Sequence, residues 1–278
     1  MLSCTIYFVC LRVLFVTHAF AYNRYRLLMS AILAVVFDNL RPNSFNRRID
    51  MPTISFVSPK GGTGKTTSAL ILATQIARSA PVTVIDADPN RPIHTWASAQ
   101  PNLKNFSVIS DANEENILDL IEEAASRTPF VICDLEGTAS RIVVMSVSHS
   151  DFVIVPSQGS QLDAAQAGRA LKVIQQAEKM VRRSNPSFSL PHAILLTRTN
   201  AAIRSRTLTF IEKSFTDAGI PVLNTELNER DAFKAMISFQ LPLEQLDQNE
   251  VSNVDKAIKN AESFAAEVVE ILRQRRTA

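Results

Sequence analysis

A glycine-rich segment, Pro59–Thr67, constrains the fold more than any other feature of this sequence. It reads Pro-Lys-Gly-Gly-Thr-Gly-Lys-Thr-Thr and lies between an apolar run, Ile54–Val57, and a helix-like run, Ser68–Ala77. Glycines let a backbone fold tightly around phosphate groups, while successive N–H groups and a helix N-terminus supply positive potential. The segment therefore predicts a nucleoside triphosphate site, with a lysine at the β- and γ-phosphates and a threonine hydroxyl on Mg²⁺. The residues assigned to nucleotide binding are Gly61, Gly62, Thr63, Gly64, Lys65, Thr66 and Thr67.

From residue 52 onwards, apolar strand-like runs alternate with helix-like segments. Short apolar runs without period-two alternation are typical of strands that are buried on both faces of a parallel sheet. The pattern predicts a doubly wound α/β fold, with a mostly parallel sheet and helices on both faces, in one domain over residues 51–278. Ligands of such sheets bind beyond the carboxyl ends of the strands. The predicted strands are Thr53–Val57, Val82–Asp86, Phe106–Ile109, Phe130–Asp134, Phe152–Pro156, Ala193–Thr197 and Pro221–Thr225.

An additional lysine makes the glycine-rich segment more specific. The general P-loop pattern has glycine where Pro59 stands, and Lys60 follows it here. The string Lys-Gly-Gly-Thr-Gly-Lys-Thr resembles the deviant Walker A motif of the ParA/MinD family of ATPases. The resemblance implies two catalytic lysines: Lys65 on the chain's own nucleotide, and Lys60 reaching across an ATP-bound homodimer to the partner's nucleotide, as an arginine finger does elsewhere. The alternative is a glycine-rich turn that binds nothing.

Acidic residues end two of the predicted strands. Asp86 and Asp88 lie two residues apart, and so on the same side of an extended backbone. In ParA-like proteins the second aspartate of Asp-x-Asp-Pro positions the attacking water. The resemblance therefore implies that catalytic role for Asp88 and places Asp86 nearer the Mg²⁺; the alternative is a solvated Asp-Pro turn that caps the next helix. Asp134 ends the fourth run as a Walker B carboxylate does, and such a carboxylate usually binds Mg²⁺ through water.

The loop after Asp134 departs from the family pattern. Most ParA relatives continue with Asp-x-Pro-Pro, whereas Leu135–Gly137 follows here. The contact to the γ-phosphate therefore stays open, with the N–H of Gly137 as one candidate. For Glu136 an exposed loop acid is the simpler interpretation.

Two later segments indicate the nucleoside side of the site and the branch of the family. In ParA relatives, loops equivalent to Thr197–Thr199 and Asn228–Phe233 border the base and ribose. Arg230 lies within the second loop. The alternative to a contact with the nucleotide is that Arg230 forms a structural ion pair. The strings over Asp86–Trp96 and Glu229–Phe233 look closest to the VirC-type ParA-like proteins.

The balance of charges limits how residues 51–278 can bind nucleic acid. The net charge is +2, but the first fifty residues carry six arginines against Asp38 and Asp50, which leaves 23 basic and 25 acidic residues in the remaining 228. A body of this charge requires a local basic patch to bind DNA. A DNA-binding patch is predicted at Arg198, Arg204 and Arg206, whose phosphate contacts would be salt-sensitive and independent of sequence. The alternative is that these arginines are ordinary solvated charges.

The first fifty residues differ in kind from the rest. They contain two apolar runs, Thr5–Phe20, which Arg12 interrupts, and Leu27–Phe37, which falls short of the roughly 20 residues of a membrane-spanning helix. We expect residues 1–50 to be a leader that is disordered or precedes a true start at Met51. A membrane-associating leader and an export signal ending near Ala19–Ala21 are the alternatives.

Three functions are compatible with these observations. The first is a partition ATPase: ATP closes a homodimer on nonspecific DNA, and a ParB-like partner stimulates slow hydrolysis, so that a plasmid or chromosome is segregated. The second is a VirC-type accessory protein that acts with a relaxosome protein in conjugative or T-DNA processing. The third is a MinD-like positioning ATPase. The final helix disfavours the third, because apolar residues from Val254 to Leu272 recur at core-packing intervals and only Gln274–Ala278 remain for a membrane-binding tail.

The amino-acid composition disfavours two other classes of related protein. Cys133 is the only cysteine after residue 50 and no tyrosine occurs there. An iron-protein-like reductase would lack its cluster ligands, and a tyrosine autokinase would lack its tyrosine cluster. A scaffold that binds nucleotide without hydrolysis is a further alternative. We expect a cytoplasmic, nucleoid-associated ATPase that uses ATP and Mg²⁺ and has no membrane partner.

Overall fold

The computed structural model describes residues 51–137 and 140–277. The expected leader at residues 1–50 lies outside the described residues. The strands are β1 (Thr53–Phe56), β2 (Val82–Ala87), β3 (Phe106–Ile109), β4 (Phe130–Leu135), β5 (Phe152–Gln158), β6 (His192–Thr199) and β7 (Leu227–Asn228). The helices are α1 (Lys65–Ala77), α2 (Pro92–Ser98), α3 (Ile117–Arg127), α4 (Arg141–Ser148), α5 (Gln161–Arg182), α6 (Arg206–Asp217), α7 (Asp231–Ser238) and α8 (Val254–Thr277).

The seven strands form one sheet in the order β3-β2-β4-β1-β5-β6-β7. All of the pairs between neighbouring strands are parallel. The predicted fold class is therefore confirmed. Asp134 on β4 is in register with Phe56 on one side and with Asp86 on the other. This register brings the loop after β1 and the acidic ends of β2 and β4 to the same edge of the sheet.

The predicted strand over Pro221–Thr225 is wrong. Val222 makes only an isolated bridge to Ile194, and the edge strand β7 lies further along the chain. The physical reason is that the backbone N–H groups of Asn224 and Thr225 donate to the carboxylate of Glu267, each at 2.7 Å, instead of to β6.

Helices cover the sheet and bury its central strands on both faces. Val131, Cys133 and Leu135 of β4 belong to a core cluster with residues of α3, α4, α5 and α6. The 24-residue helix α8 buries residues at intervals of three or four, which confirms the prediction of a core-packed final helix. Within the described ranges, no helix combines the length and the hydrophobicity needed to cross a membrane.

The single tryptophan joins three elements around this core. Trp96 on α2 is 2% exposed, and its indole N–H donates to the carbonyl oxygen of Met236 on α7 at 2.8 Å. Its ring meets Phe106 of β3 edge to face, with the ring centroids 5.8 Å apart. Trp96 therefore fixes α2, and with it the loop after β2, against the rest of the domain.

We predict that Trp96→Ala lowers the free energy of unfolding by about 3–5 kcal/mol, because it leaves a large cavity and removes the indole hydrogen bond. Urea denaturation followed by far-ultraviolet circular dichroism measures this loss. Phe239→Ala is the matched control, since Phe239 is 53% exposed and its truncation should change stability by less than about 0.5 kcal/mol. Equal losses in the two variants would contradict the role assigned to Trp96.

Candidate nucleotide site

The glycine-rich loop connects β1 to α1 in a conformation that requires glycine. Gly62 and Gly64 have φ of 80° and 93°, and Gly64 immediately precedes the first residue of α1. The loop is held from two neighbouring strands: the Gln158 side chain donates to the Gly62 carbonyl at 2.7 Å, and the Thr197 hydroxyl donates to the Thr63 carbonyl at 2.7 Å. The first turn of α1 contains no acidic residue. Its N–H groups and its dipole are therefore arranged to attract an anion.

Lys65 and Asp134 form a buried ion pair beneath this loop. The lysine Nζ lies 3.1 Å from Oδ1 of Asp134, and the two side chains are 9% and 0% exposed. Burial raises the pKa of Asp134, and the charge of Lys65 and the Thr66 side chain offset this only in part. The site thus concentrates one positive and one negative charge in a region of low dielectric, where each acts strongly on a charged ligand.

The donor set around Asp134 fits a Mg²⁺ ion. Oδ2 of Asp134 is buried and has no hydrogen-bond partner among the described residues, and the hydroxyl of Thr66 neighbours the same carboxyl group. No group of three His, Cys, Asp or Glu residues in residues 51–137 and 140–277 could hold a metal alone. Mg²⁺ in proteins usually keeps several waters and takes one or two carboxylates together with substrate phosphates.

Asp86 and Asp88 follow β2 but differ in their surroundings. Asp86 is 1% exposed, and its Oδ2 accepts a hydrogen bond from the backbone N–H of His94 at 2.9 Å, so it anchors the first turn of α2. Burial raises the pKa of Asp86, opposed by this backbone bond and reinforced by the charge of Asp134. Asp88 is less buried, and its Oδ1 accepts from the backbone N–H and the side-chain amide of Asn90 at 2.9 and 3.1 Å. The bond to the first turn of α2 thus comes from the buried Asp86 and not from the solvated Asp88-Pro89 turn that the capping alternative describes. The metal role of Asp86 and the water-positioning role of Asp88 stay predictions.

The loop after Asp134 packs on the glycine-rich loop. A Cβ added to Gly137 would lie 3.6 Å from the carbonyl oxygen of Ser58 and 3.9 Å from the backbone nitrogen of Gly61. Gly137 therefore lies within van der Waals distance of the backbone of the glycine-rich loop. Glu136 beside it is partly buried, and the contact to the γ-phosphate stays a prediction.

Sequence reasoning missed the partner of Lys60. Its ammonium group donates to Oδ1 of Asp163 at 2.7 Å, across 103 positions of the chain. Asp163 lies in the first turn of α5, and its backbone N–H donates to the hydroxyl of Ser160 at 3.2 Å. The Ser160-x-x-Asp163 pattern signals a helix start in the sequence, but it does not indicate which cation the carboxylate meets.

A cleft of about 290 Å³ opens beside the glycine-rich loop. It lies among α1, β6, β7 and α7, and both loops that the resemblance assigned to the base and ribose line it. The side chain of Arg230 donates to Asn228 at 3.1 Å, while its Nε is buried without a partner among the described residues. Burial lowers the pKa of Arg230. The residues that the cleft brings together include Thr67, Ile71, Thr197, Arg198, Arg230 and Phe233.

The three arginines of the predicted DNA patch do not share one environment. Arg198 has a φ of 52° and lines the nucleoside cleft. Arg204 is paired with both Glu226 and Glu212, and the hydrogen bonds that it donates to these carboxylates are the main reason that its pKa is raised. Arg206 is the exposed first residue of α6. Of the three, Arg206 has the surroundings best suited to a phosphate contact.

Comparisons with known proteins show the family and the fold of this chain. A family model described as VirC1 protein matches residues 51–274. A protein named ParA from Rhizobium radiobacter is 36% identical over 216 residues, which cover 77% of this chain and 95% of that protein. The apo structure of McdA from Cyanothece has a TM-score of 0.60 at 16% identity, covering 76% of this chain and 99% of that one. An ATP complex of an McdA variant has a TM-score of 0.57 at 17% identity, covering 76% and 96% of the two chains.

We predict that Gly64→Ala weakens ATP binding by more than about tenfold, because a left-handed residue at the start of α1 costs about 1–3 kcal/mol when it carries a side chain. The added Cβ would also meet the side chain of Thr197 at 3.6 Å. Isothermal titration with ATP and Mg²⁺ measures the change.

Gly168→Ala is the matched control for this substitution. Gly168 lies inside α5, and no atom lies within 4 Å of the position of its added Cβ. Alanine there should raise stability by about 0.5–1 kcal/mol and leave ATP binding unchanged. Unaltered ATP affinity in Gly64→Ala would contradict the role assigned to the left-handed glycine.

Proposed function

Because the chain belongs to the VirC1 family of ParA-like P-loop ATPases, we propose that it binds ATP with Mg²⁺, closes into a homodimer, and binds DNA without sequence preference to partition a plasmid or chromosome. One observation carries the proposal: a single loop holds two lysines in different surroundings. Lys65 is buried against Asp134, whereas 43% of the Lys60 side chain is exposed. Lys65 is suited to the chain's own nucleotide, and Lys60 to a nucleotide that another copy presents.

Binding of the triphosphate is assigned to the glycine-rich loop and the first turn of α1. The N–H groups of residues 61–67 and the ammonium group of Lys65 supply positive charge where the phosphates lie. Thr66 and the uncommitted oxygen of Asp134 would hold Mg²⁺, which neutralises phosphate charge when it is bound. The cleft lined by Ile71 and Phe233 would take the base.

Hydrolysis is assigned to Asp88 and to Lys60 of the partner copy. Both hydrogen bonds that Asn90 donates end on Oδ1 of Asp88. We therefore assign Oδ2 to the attacking water. Lys60 would stabilise the charge of the transferring phosphoryl group only after a second copy has docked. Hydrolysis by the isolated chain is accordingly expected to be slow until a ParB-like or relaxosome protein stimulates it.

DNA binding is assigned to a surface that includes Arg206. The carboxylates of Glu212 and Glu226 already balance Arg204, so Arg204 would contribute less, and Arg198 would contribute more to the nucleotide than to DNA. The protein would then work in the cytoplasm on nucleoid DNA, with residues 51–278 as the ATPase domain. The match to the VirC1 family favours a second candidate, an accessory role beside a relaxosome in conjugative or T-DNA processing.

The catalytic assignment is tested by two substitutions in the 278-residue chain. Lys65→Ala should abolish ATP binding or hydrolysis, because the triphosphate loses its buried cation. Asp88→Ala should still bind ATP but hydrolyse it at least about 100-fold more slowly, and so accumulate as the ATP-bound dimer. Phosphate release and sedimentation velocity in ATP measure these effects, with Asp111→Ala, at an exposed loop acid, as the control. Hydrolysis at the wild-type rate in Asp88→Ala would show that another residue positions the water.

The DNA assignment is tested by binding to random-sequence duplex DNA in ATP, in ADP and without nucleotide, at several salt concentrations. Binding should require ATP and weaken steeply with salt, because it releases counterions from phosphates. Arg206→Ala should lower the slope of log affinity against log salt by about one. Arg127→Ala, at an exposed arginine on α3, is the control. An ATP-dependent dimer that binds no DNA would favour a protein-positioning ATPase over both DNA functions.

A further inference from the structure

The contact between Lys60 and Asp163 joins a half-exposed cation to a buried anion. The ammonium group lies 2.7 Å from Oδ1 of Asp163, and the two side chains are 43% and 3% exposed. A charge-assisted hydrogen bond of this length is stronger than an ordinary surface ion pair, since one partner is shielded from water. This hydrogen bond engages Lys60, the lysine that is proposed to act on the nucleotide of a second copy of the chain.

The start of α5 fixes the carboxylate of Asp163 in place. Ser160 caps the helix by accepting from the backbone N–H of Asp163 at 3.2 Å, and its hydroxyl group donates to Oδ2 of the same residue. Burial raises the pKa of Asp163, but the hydrogen bonds from Lys60 and Ser160 outweigh it, so the pKa lies below its ordinary value. The carboxylate is therefore ionised at neutral pH and directed at Lys60 by its own helix.

We propose that Asp163 is a positioning residue that holds Lys60 within its own chain, and that this hold sets the strength of ATP-dependent self-association. The inference rests on the proposed function, in which Lys60 acts on the nucleotide of a second copy. The same ammonium group cannot lie 2.7 Å from Asp163 and also reach across a dimer interface. Each copy must therefore release Lys60 before the dimer is complete.

Release is unfavourable because it leaves a buried carboxylate without its cation. Separating one partner from a buried charge pair costs more than breaking an exposed pair. A homodimer has two such contacts, so the cost enters twice. Removing the charge of Asp163 should thus strengthen self-association, which is the opposite of what loss of a merely structural residue would do.

The test compares Asp163→Asn with the wild-type 278-residue chain. Asparagine keeps the shape of the side chain and an oxygen for the Ser160 hydroxyl but loses the negative charge. We expect the dissociation constant of the dimer, from sedimentation equilibrium with a non-hydrolysable ATP analogue and Mg²⁺, to fall about tenfold. Asp119→Asn, which removes an exposed acid from the first turn of α3, is the matched control and should leave that constant unchanged.

A second measurement, made without nucleotide, follows the chemical reactivity of the Lys60 amine. Labelling by an amine-reactive reagent, quantified by mass spectrometry against the exposed Lys104, should be several-fold faster at Lys60 in Asp163→Asn than in the wild-type chain. Ser160→Ala keeps the carboxylate but loses the hydroxyl that anchors it. It should shift both readouts in the same direction by a smaller amount, and it serves as a second variant if Asp163→Asn folds poorly.

The outcomes separate this inference from the function on which it rests. Faster labelling together with tighter self-association supports the hold. A wild-type chain that dimerises while Asp163→Asn shows unchanged or weaker association overturns the inference alone, as does unchanged labelling of Lys60. A wild-type chain that stays monomeric with the ATP analogue overturns the proposed function, and the inference falls with it.

Discussion

The parallel pairing of β1 with β4 is the constraint on which the candidate site depends. The two strands are far apart in sequence, yet their register places Phe56 beside Asp134, so that the glycine-rich loop and the acidic end of β4 leave the sheet at one point. The ion pair between Lys65 and Asp134 follows from that register. A shift of one residue would turn the Asp134 carboxylate to the other face of the sheet and leave Lys65 without its partner.

Several features of the candidate site lower the free energy of unfolding. Burial raises the pKa of both Asp86 and Asp134, and each carboxylate also feels repulsion from a neighbouring acid. Gly62, Gly64 and Arg198 hold left-handed backbone conformations around the same edge. Such features cost stability wherever they occur, and they cluster where a protein must bind or transform a charged ligand. The covered central strands and the long helix α8 supply the apolar burial that offsets them.

Local sequence signals account for most of what could be predicted. Six of the seven strands lie within a few residues of their apolar runs, and the glycine-rich loop follows from the spacing of its own residues. The prediction of the seventh strand is wrong because the apolar residues around Val222 do not indicate that the carboxylate of Glu267, 43 positions after Asn224, accepts from the neighbouring backbone N–H groups. The Asp-Pro sequence suggests a solvated cap at Asp88, and only the fold shows that the buried Asp86 accepts the N–H of His94 instead.

Charge shows most plainly what a sequence leaves undetermined. In the sequence Lys60, Lys65 and Arg204 are equal positive charges, whereas the fold gives them different partners. Lys65 has a fully buried acid, Arg204 has two partly exposed acids, and Lys60 has an acid from a helix start about a hundred residues away. Whether a cation can bind another group depends on the free energy needed to separate it from its acidic partner. The contact between Lys60 and Asp163 is thus a property of the fold.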